Sequence, residues 1–282
     1  MATRLGAKGH QIARLSRSEP RTAGEYRWDP AADELDPAAL ESVDAVVHLA
    51  GETVAGRWTD RKKQRIYDSR VQGTRLIAAA AAARDPAPAV MVCASGVGYY
   101  GDRGDEPVTE ESPPGEGFLV DVVRDWEAAA DQALDAGIRV VHTRFGIVQS
   151  GRGGALRAQL PLFRLGLGGR IGNGRQYVSW VAIDDVLGAI EHAIADERLS
   201  GPVNVTAPAP VTNAQYARTL AGVLHRPSVL PAPAPAVRLL LGEFSSELLG
   251  GQRVLPERLR QTGYEFRYPR LEGALRAALD RG

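Results

Sequence analysis

Residues 95–102 contain the side chains with the clearest chemical potential. Ser95 ends an apolar, strand-like run and is followed by three glycines, Tyr99 and Tyr100. A serine hydroxyl at a strand end can polarise a carbonyl or orient a hydroxyl, and a tyrosine can pass a proton. We therefore predict Ser95, Tyr99 and Tyr100 as catalytic candidates. The alternative is a surface turn in which the two tyrosines are exposed.

A second candidate site lies at residues 44–51. Three apolar residues follow an acid, and small residues come directly after them. Such a run is typical of a strand buried in a parallel sheet. Small residues at its carboxyl end let a ligand approach the backbone closely. In open α/β sheets ligands bind at that edge, so we predict Leu49, Ala50 and Gly51 as ligand contacts. An ordinary buried strand running into a loop is the alternative.

Ser16 and Arg17 follow another strand-like segment, residues 11–15. At the corresponding position of a dinucleotide-binding unit, an acid selects NAD, whereas an arginine accommodates the 2′-phosphate of NADP. Arg17, supported by Ser16, favours NADP. The alternative is an arginine exposed in a loop.

Alternating strand and helix patterns position these residues and predict a doubly wound, parallel α/β fold of the Rossmann type. Strands are expected at residues 89–94, 138–143 and 201–206, and helices at 59–83 and 119–136. Asp184 is predicted to cap the helix that ends at Ala195. No Gly-rich turn preceded by a strand occurs before residue 11, so the first strand of such a fold is expected to be missing. The natural start then lies upstream of Met1 or the protein lacks that strand.

Domain organisation is indicated by four prolines among residues 226–236, which form a stiff connector. We predict a nucleotide-binding domain over residues 1–225 and a small substrate-side domain over residues 226–282. The 282 residues are consistent with one large domain or two.

Charge and composition limit the partners. Lysine plus arginine equals aspartate plus glutamate, at 34 each, which argues against nucleic acid or an anionic membrane as the main partner. The single cysteine, Cys93, excludes an intramolecular disulfide and suits a reducing compartment. Without a spanning run or a secretory signal, a cytoplasmic location is expected. No metal-ligand spacing is apparent, so no metal site is predicted.

Several segments together resemble the extended short-chain dehydrogenase/reductase superfamily, and within it the sugar-epimerase-like NAD-dependent epimerase/dehydratase family with a DUF1731-type C-terminal domain. The resemblance covers nearly the whole chain. The segments that carry it are residues 46–52, 69–74, 95–101, 144–148, 179–185 and 251–256.

The resemblance implies an NADP-binding Rossmann domain with a small domain closing over a small-molecule substrate. It implies that Arg70 lies on a helix facing the cofactor, that Val148 lies near the nicotinamide, and that Ser95 is the active-site hydroxyl. The superfamily's Tyr-x-x-x-Lys pair is absent, because Leu119 and Val123 occupy the aligned positions. Tyr99 or Tyr100 is a possible substitute for that tyrosine.

Two functions remain open at this point. The first is an NADP-binding oxidoreductase or epimerase acting on a nucleotide sugar or a small carbonyl compound, as a monomer or homodimer. The second is a non-catalytic dinucleotide-binding sensor or scaffold, which the missing proton relay favours.

Overall fold

The computed structural model describes residues 1–280. Its strands, in chain order, are β1 (Arg14–Ser16), β2 (Glu25–Asp29), β3 (Glu34–Leu35), β4 (Ala45–His48), β5 (Val90–Gly96), β6 (Pro107–Val108), β7 (Arg139–Phe145), β8 (Ile147–Gln149), β9 (Tyr177–Val178), β10 (Trp180–Ala182), β11 (Gly201–Val205), β12 (Val211–Thr212) and β13 (Arg253–Val254).

The α-helices are α1 (Ala2–Gly6), α2 (Asp60–Ala82), α3 (Phe118–Ala128), α4 (Asp131–Asp135), α5 (Gly154–Arg164), α6 (Ile183–Ala195), α7 (Asn213–Val223), α8 (Ala234–Leu241), α9 (Ser245–Leu249), α10 (Glu257–Gln261) and α11 (Leu271–Asp280). Short 3₁₀ helices cover Pro37–Leu40, Val97–Tyr100 and Gly242–Phe244.

A four-stranded parallel sheet, in the order β11-β7-β5-β4, forms the centre of the molecule. Successive side chains of β5 point to opposite faces, as strand geometry requires. Val90 and Val92 pack against residues of α6, whereas Met91 and Cys93 pack against residues of α2 and α4. Both faces are therefore covered by helices, which explains why β5 is an unbroken apolar run. The predicted doubly wound α/β fold is confirmed.

The strands β1, β2 and β3 form a separate small sheet. β1 is parallel to β2, and β3 is antiparallel to β2. Leu15 and Leu35 of this sheet pack into the same apolar cluster as Val46 of β4. Apolar packing therefore holds the small sheet beside the central one, although no strand pair joins the two sheets within the described residues.

Two helix predictions need correction. The helix expected over residues 119–136 is divided into α3 and α4, because Ala130 N–H bonds the Glu127 carbonyl three residues back. Asp184 is not the N-cap of α6, since Ala182 holds that position and Asp184 lies in the first turn. An acid is favourable in a first turn as well as at the cap, so the same residue fits both readings.

The C-terminal part of the chain forms a small domain that contacts the larger one through several elements. β13 pairs with β6, and α11 packs with α5, α7 and β10 in one apolar cluster. The boundary at residue 226 stays a prediction. Within residues 1–280, no helix combines the length and apolar content needed to cross a membrane.

Candidate functional site

The carboxyl ends of the parallel strands place the candidate residues along one edge of the central sheet. In the strand register, Ser95 of β5 lies beside Arg144 of β7, and Arg144 lies beside Asn204 of β11. Residues that are neighbours in register project to the same face of a sheet. The three polar side chains therefore form a row across the sheet edge.

Ser95 is buried, and its hydroxyl is engaged by an acid. Its Oγ donates a hydrogen bond of 2.6 Å to Oε1 of Glu127, which α3 delivers to the end of β5. A hydroxyl has one proton and two acceptor lone pairs. Because the proton of Ser95 is directed to Glu127, only acceptor lone pairs of this oxygen remain for a ligand.

Arg144 holds Glu127 in place. Its Nε and Nη2 donate to the two carboxylate oxygens of Glu127 at 2.8 and 2.7 Å, a bidentate arrangement. Burial disfavours the charge of Arg144, but the hydrogen bonds and charge interactions with Glu127 and Tyr100 together outweigh burial and raise the pKa of the guanidinium. This ion pair is buried, so it fixes the position of the carboxylate that receives the Ser95 proton.

Tyr100 extends this polar network toward β11. It accepts a hydrogen bond of 3.0 Å from Nη1 of Arg144 and donates one of 2.7 Å to Oδ1 of Asn204. Burial raises the pKa of Tyr100 to about 12. Its hydroxyl is therefore fully buried, already paired, and a poor proton donor or acceptor near neutral pH.

Tyr99 has a different environment from its neighbour. Its ring lies 3.5 Å from Cζ of Arg144 and meets the Tyr100 ring edge-on, with the centroids 5.3 Å apart. The residue is only half-buried, and its hydroxyl has no hydrogen-bond partner among residues 1–280. Tyr99 is thus fixed by its ring and keeps an available hydroxyl.

A second arginine, Arg70 of α2, packs against the residues that follow β4, and no carboxylate of residues 1–280 forms an ion pair with it. A Cβ at Gly51 would lie 3.3 Å from Cζ of Arg70, so the guanidinium rests directly on the backbone there. Arg70 Nη1 donates to the carbonyls of Glu52 and Ile66, at 2.9 and 3.2 Å. Cζ of Arg70 also lies 4.9 Å from the centroid of the Trp126 ring.

Burial lowers the pKa of Arg70 by more than the negative charge of Glu52 raises it. No carboxylate of the described residues is within ion-pair distance of its guanidinium. Leu49 is exposed and Ala50 half-buried beside it. This edge of the sheet therefore combines open backbone with an unneutralised positive charge.

Arg17 lies at the end of β1, near the same place. The pKa of Glu52 is lowered mainly by the 2.7 Å hydrogen bond from Lys62, and Arg17 contributes to that lowering. Arg17 is exposed, while its carbonyl accepts a hydrogen bond from Arg27. The Oγ of Ser16 accepts from the N–H of Ser18 at 3.1 Å, which closes the turn that presents Arg17.

Val148 lies in β8, opposite Val181 of β10. It is half-buried and packs beside Phe145 in the apolar cluster on the α6 side of the sheet. The two residues aligned with the superfamily pair lie on α3. Leu119 approaches Gly98, and Val123 is buried.

A cavity of about 200 Å³ opens between the 95–101 segment and the C-terminal domain. Gly98, Gly101 and Leu119 form one wall, and Gly251 and Gln252 belong to the opposite wall. The Nε2 of Gln252 donates to the carbonyl of Val97 at 2.9 Å and joins the two walls.

Four carboxylates line this cavity, and burial together with the nearby charge of Asp102 raises the pKa of Glu247. A larger cavity of about 560 Å³ lies between α1 and α6, but its lining contains none of the strand-end residues. The smaller cavity borders the 95–101 segment through Gly98 and Gly101, although Ser95 and Arg70 are not among its lining residues. Its acidic residues are Asp102, Glu116, Glu243 and Glu247.

Sequence reasoning missed three members of the polar network, Glu127, Arg144 and Asn204. Glu127 lies eight residues after Leu119, two turns along the same face of a helix, and that spacing could have revealed it. Asn204 lies inside a predicted strand, where only the register with Arg144 reveals its role. No group of three histidine, cysteine, aspartate or glutamate residues in the described part of the chain is arranged to hold a metal ion.

Two family models match the chain. The model of the NAD dependent epimerase/dehydratase family matches residues 1–206, and a domain of unknown function, DUF1731, matches residues 232–278. Among curated proteins, the epimerase family protein Mb2239 of Mycobacterium bovis is 44% identical over 98% of this chain and 92% of its own length. The human epimerase family protein SDR39U1 is 37% identical over 96% of this chain and 92% of its own length.

Solved structures give the same result. The crystal structure of human epimerase family protein SDR39U1 (isoform 2) with NADPH superposes with a TM-score of 0.91 at 35% identity, covering 100% of this chain and 95% of that chain. The nucleoside-diphosphate sugar epimerase of Corynebacterium glutamicum superposes with a TM-score of 0.79 at 38% identity, covering 96% of this chain and 53% of that chain.

Proposed function

This chain belongs to the NAD-dependent epimerase/dehydratase family, and from that premise we propose that it is an NADP-binding oxidoreductase or epimerase acting on a small molecule. One observation carries the proposal. The half-buried Arg70, which has no carboxylate within ion-pair distance among residues 1–280, rests on Gly51 at the same sheet edge where Ser95 faces Glu127. A cation for a phosphate and a polarised hydroxyl for a substrate therefore share one edge.

The residues at the end of β4 fit the phosphates of a dinucleotide. Arg70 Nε and Nη2 have no hydrogen bond within residues 1–280, so they are available to phosphate oxygens. Gly51 leaves the backbone open, and the exposed Arg17 suits the 2′-phosphate. Leu49, Ala50 and Val148 supply apolar contacts. When bound, NADP supplies a site that accepts or returns a hydride.

Ser95 is proposed to act on the oxygen of the substrate. A substrate hydroxyl donates to Ser95 Oγ, which is a free acceptor because its own proton is directed to Glu127. When the C–H bond of that alcohol is broken, the hydroxyl proton passes to Ser95 Oγ and the Ser95 proton passes to Glu127. Arg144 keeps the carboxylate aligned. Ser95 thus relays the proton and Glu127 accepts it, so both are catalytic residues in this proposal, whereas Arg144 is a positioning residue.

The two tyrosines take different parts in this proposal. Tyr99 has an available hydroxyl, so it is the tyrosine we propose as a substrate contact. Tyr100 is committed to Arg144 and Asn204 and has a raised pKa, so it maintains the network.

The cavity favours an uncharged substrate. Its four carboxylates would repel a diphosphate placed among them, whereas they can accept hydrogen bonds from hydroxyl groups. We therefore propose a small hydroxyl or carbonyl compound as the substrate in preference to a nucleotide sugar.

The experiment has two stages. Fluorescence titration should show saturable NADPH binding to the full chain. A panel of neutral carbonyl compounds and nucleotide sugars should then give NADPH turnover that Ser95→Ala lowers by at least about a hundredfold, the usual scale for a positioned acid–base group. An absence of saturable NADPH binding would contradict the proposal.

A second candidate, a non-catalytic dinucleotide sensor, is favoured by Leu119 and Val123, which cannot replace a tyrosine and a lysine. It shares the binding site but predicts tight NADPH binding with no turnover on any compound of the panel. Turnover that disappears in Ser95→Ala would exclude it.

The remaining features of the proposal are the arrangement of domains and the setting. Residues 1–225 bind the cofactor, and residues 226–282 close the substrate side. The protein acts as a monomer or homodimer in the cytoplasm, where its one buried thiol, Cys93, stays reduced.

A further inference from the structure

Charge is unevenly distributed along the chain although the total is balanced. Residues 150–182 and 199–242, named here the basic segments, contain eight arginines and no aspartate or glutamate. All eight arginines are exposed. The acids that balance them lie elsewhere in the chain. The eight are Arg152, Arg157, Arg164, Arg170, Arg175, Arg218, Arg226 and Arg238.

The fold brings parts of the two basic segments together. Ile171 bridges to Ala232, and the Nε of Arg226 donates to the carbonyl of Arg164 at 2.8 Å. A Cβ at Gly166 would lie 3.2 Å from the ring of Pro227. The loop that follows α5 therefore runs along the Pro-rich connector, which brings Arg164 and Arg226 close together.

Large apolar side chains are exposed between these arginines. Leu165 and Val229 are 72% and 70% exposed, and Leu162 is 55% exposed. Together with Leu167 and Leu230, which are about half exposed, they form what we call the leucine surface. Contiguous exposed apolar surface on a folded protein marks a site of association with another molecule or with a membrane.

The outer side of helix α5 contributes to this surface and is not needed for packing within the chain. Leu156, Leu160 and Phe163 form its buried stripe. The opposite side has Ala158, Pro161 and Leu162, all exposed, where a surface helix of a globular protein has polar residues. Packing within the chain requires only the first stripe, so the outer apolar side is unexplained by the fold.

From these observations we infer that the leucine surface docks on an anionic lipid bilayer. Leucines flanked by arginines are the combination that binds the interface of such a bilayer, since the side chains enter the acyl boundary and the guanidinium groups meet the headgroups. The absence of a spanning helix from residues 1–280 is consistent with a protein that lies on the membrane. This inference goes beyond the proposed function. It also departs from the expectation of no membrane partner, which rested on the balanced charge of the whole chain.

Other occupants fit the surface less well. A second copy would bring two arginine-rich faces together, and like charges repel. A nucleic acid would use the arginines but gain nothing from exposed leucines, because single strands are held by stacking on aromatic rings. An acidic protein partner is tested below as an alternative outcome.

The test is sedimentation of the full chain with vesicles. We expect binding to vesicles of phosphatidylcholine mixed with phosphatidylglycerol, and none to phosphatidylcholine alone. Replacing Arg157 and Arg164 by glutamine should weaken binding, by about fivefold for each arginine near the bilayer surface. The double variant Leu162→Gln and Leu165→Gln should weaken it by at least tenfold.

A matched control is available. Leu134 on α4 has nearly the same exposed fraction as Leu162, 58% against 55%, but it lies outside the basic segments. Leu134→Gln should therefore bind vesicles as the wild type does. Thermal unfolding and NADPH titration should be unchanged in every variant, which separates lipid binding from folding and from the proposed cofactor site.

Three results would overturn the inference. The first is no binding to phosphatidylglycerol vesicles. The second is binding that depends on the arginines but not on the leucines, which would show attraction by charge alone, as an acidic macromolecule would also exert. The third is a dimer in sedimentation velocity that Leu162→Gln dissociates, which would assign the surface to a second copy.

Discussion

Arg144 and Arg70 both lie at the edge of the central sheet formed by the carboxyl ends of its strands, and they differ in the groups that accept their hydrogen bonds. Arg144 is neutralised by a bidentate pair with Glu127, and its pKa is raised. Arg70 bonds only backbone carbonyls, and burial lowers its pKa. Arg144 therefore forms an ion pair within the protein, whereas Arg70 forms none within residues 1–280.

The difference indicates separate functions for two chemically identical groups. A buried charge without a counter-charge is costly, and it is retained where a ligand supplies the missing charge. We therefore propose that Arg144 positions Ser95 and that Arg70 binds a cofactor phosphate. The following predictions test that contrast.

The largest effect is expected from separating the buried ion pair. Glu127→Leu leaves Arg144 buried without an acid and should lower the free energy of unfolding by about 3 to 5 kcal/mol. The double variant Glu127→Leu with Arg144→Leu should lose less than the single one. Urea unfolding followed by circular dichroism measures both. A loss below about 1 kcal/mol for Glu127→Leu would contradict the assignment of Arg144.

His48 sharpens the comparison because its buried Nε2 has no hydrogen-bond partner and, unlike an arginine, the imidazole can lose its charge. Burial lowers its pKa from 6.5 to about 4, and its Nε2 has no hydrogen bond. Between these values the unfolded chain binds the proton and the folded chain does not. Stability is therefore full above pH 6.5 and should fall by about 3 kcal/mol as the pH drops to 4.

His48→Leu should remove that part of the pH dependence, whereas the exposed His10→Gln should retain it. Thermal unfolding over this pH range is the measurement. The same slope in wild type and His48→Leu would show that His48 does not remain neutral in the fold.

Arg70→Gln should act on binding and leave stability nearly unchanged. Loss of a charged hydrogen bond to phosphate should weaken NADPH and NADH alike by roughly tenfold or more. The free energy of unfolding should change less than in Glu127→Leu. Arg75→Gln, on the exposed side of the same helix, is the matched control in fluorescence titration. Unchanged affinity in Arg70→Gln would remove the contrast between the two arginines.

The smallest effect is expected at Arg17. Arg17→Ala should weaken NADPH about fivefold, the scale of an exposed ion pair, and leave NADH unaffected. Arg14→Ala, at the other end of the same short strand, should change neither. An equal loss for both nucleotides would show that Arg17 does not contact the 2′-phosphate.

Much of the scaffold could be predicted from local patterns. The apolar run before Ser95 indicated β5, because a strand covered on both faces needs no polar alternation. The apolar spacing within residues 59–83 indicated α2. The break between α3 and α4 could not be seen, since the buried positions Ala130 and Ala133 continue the same apolar spacing across it.

The polar network was harder to predict because long-range contacts form it. Ser95 could be singled out as a hydroxyl at a strand end, but Glu127 is 32 residues away and reaches it only when α3 packs on β5. The leucine surface has the opposite difficulty. Leu162 reads as part of an ordinary helical pattern, and only the structure shows that the buried stripe of α5 lies on the other side.

Hydrogen–deuterium exchange of the full chain with and without NADPH tests most directly whether separate segments form one dinucleotide site. We predict that saturating NADPH slows exchange together in residues 49–52 and 95–101 and leaves the leucine surface unchanged. Protection of only one of the two segments, or of neither, would contradict the account.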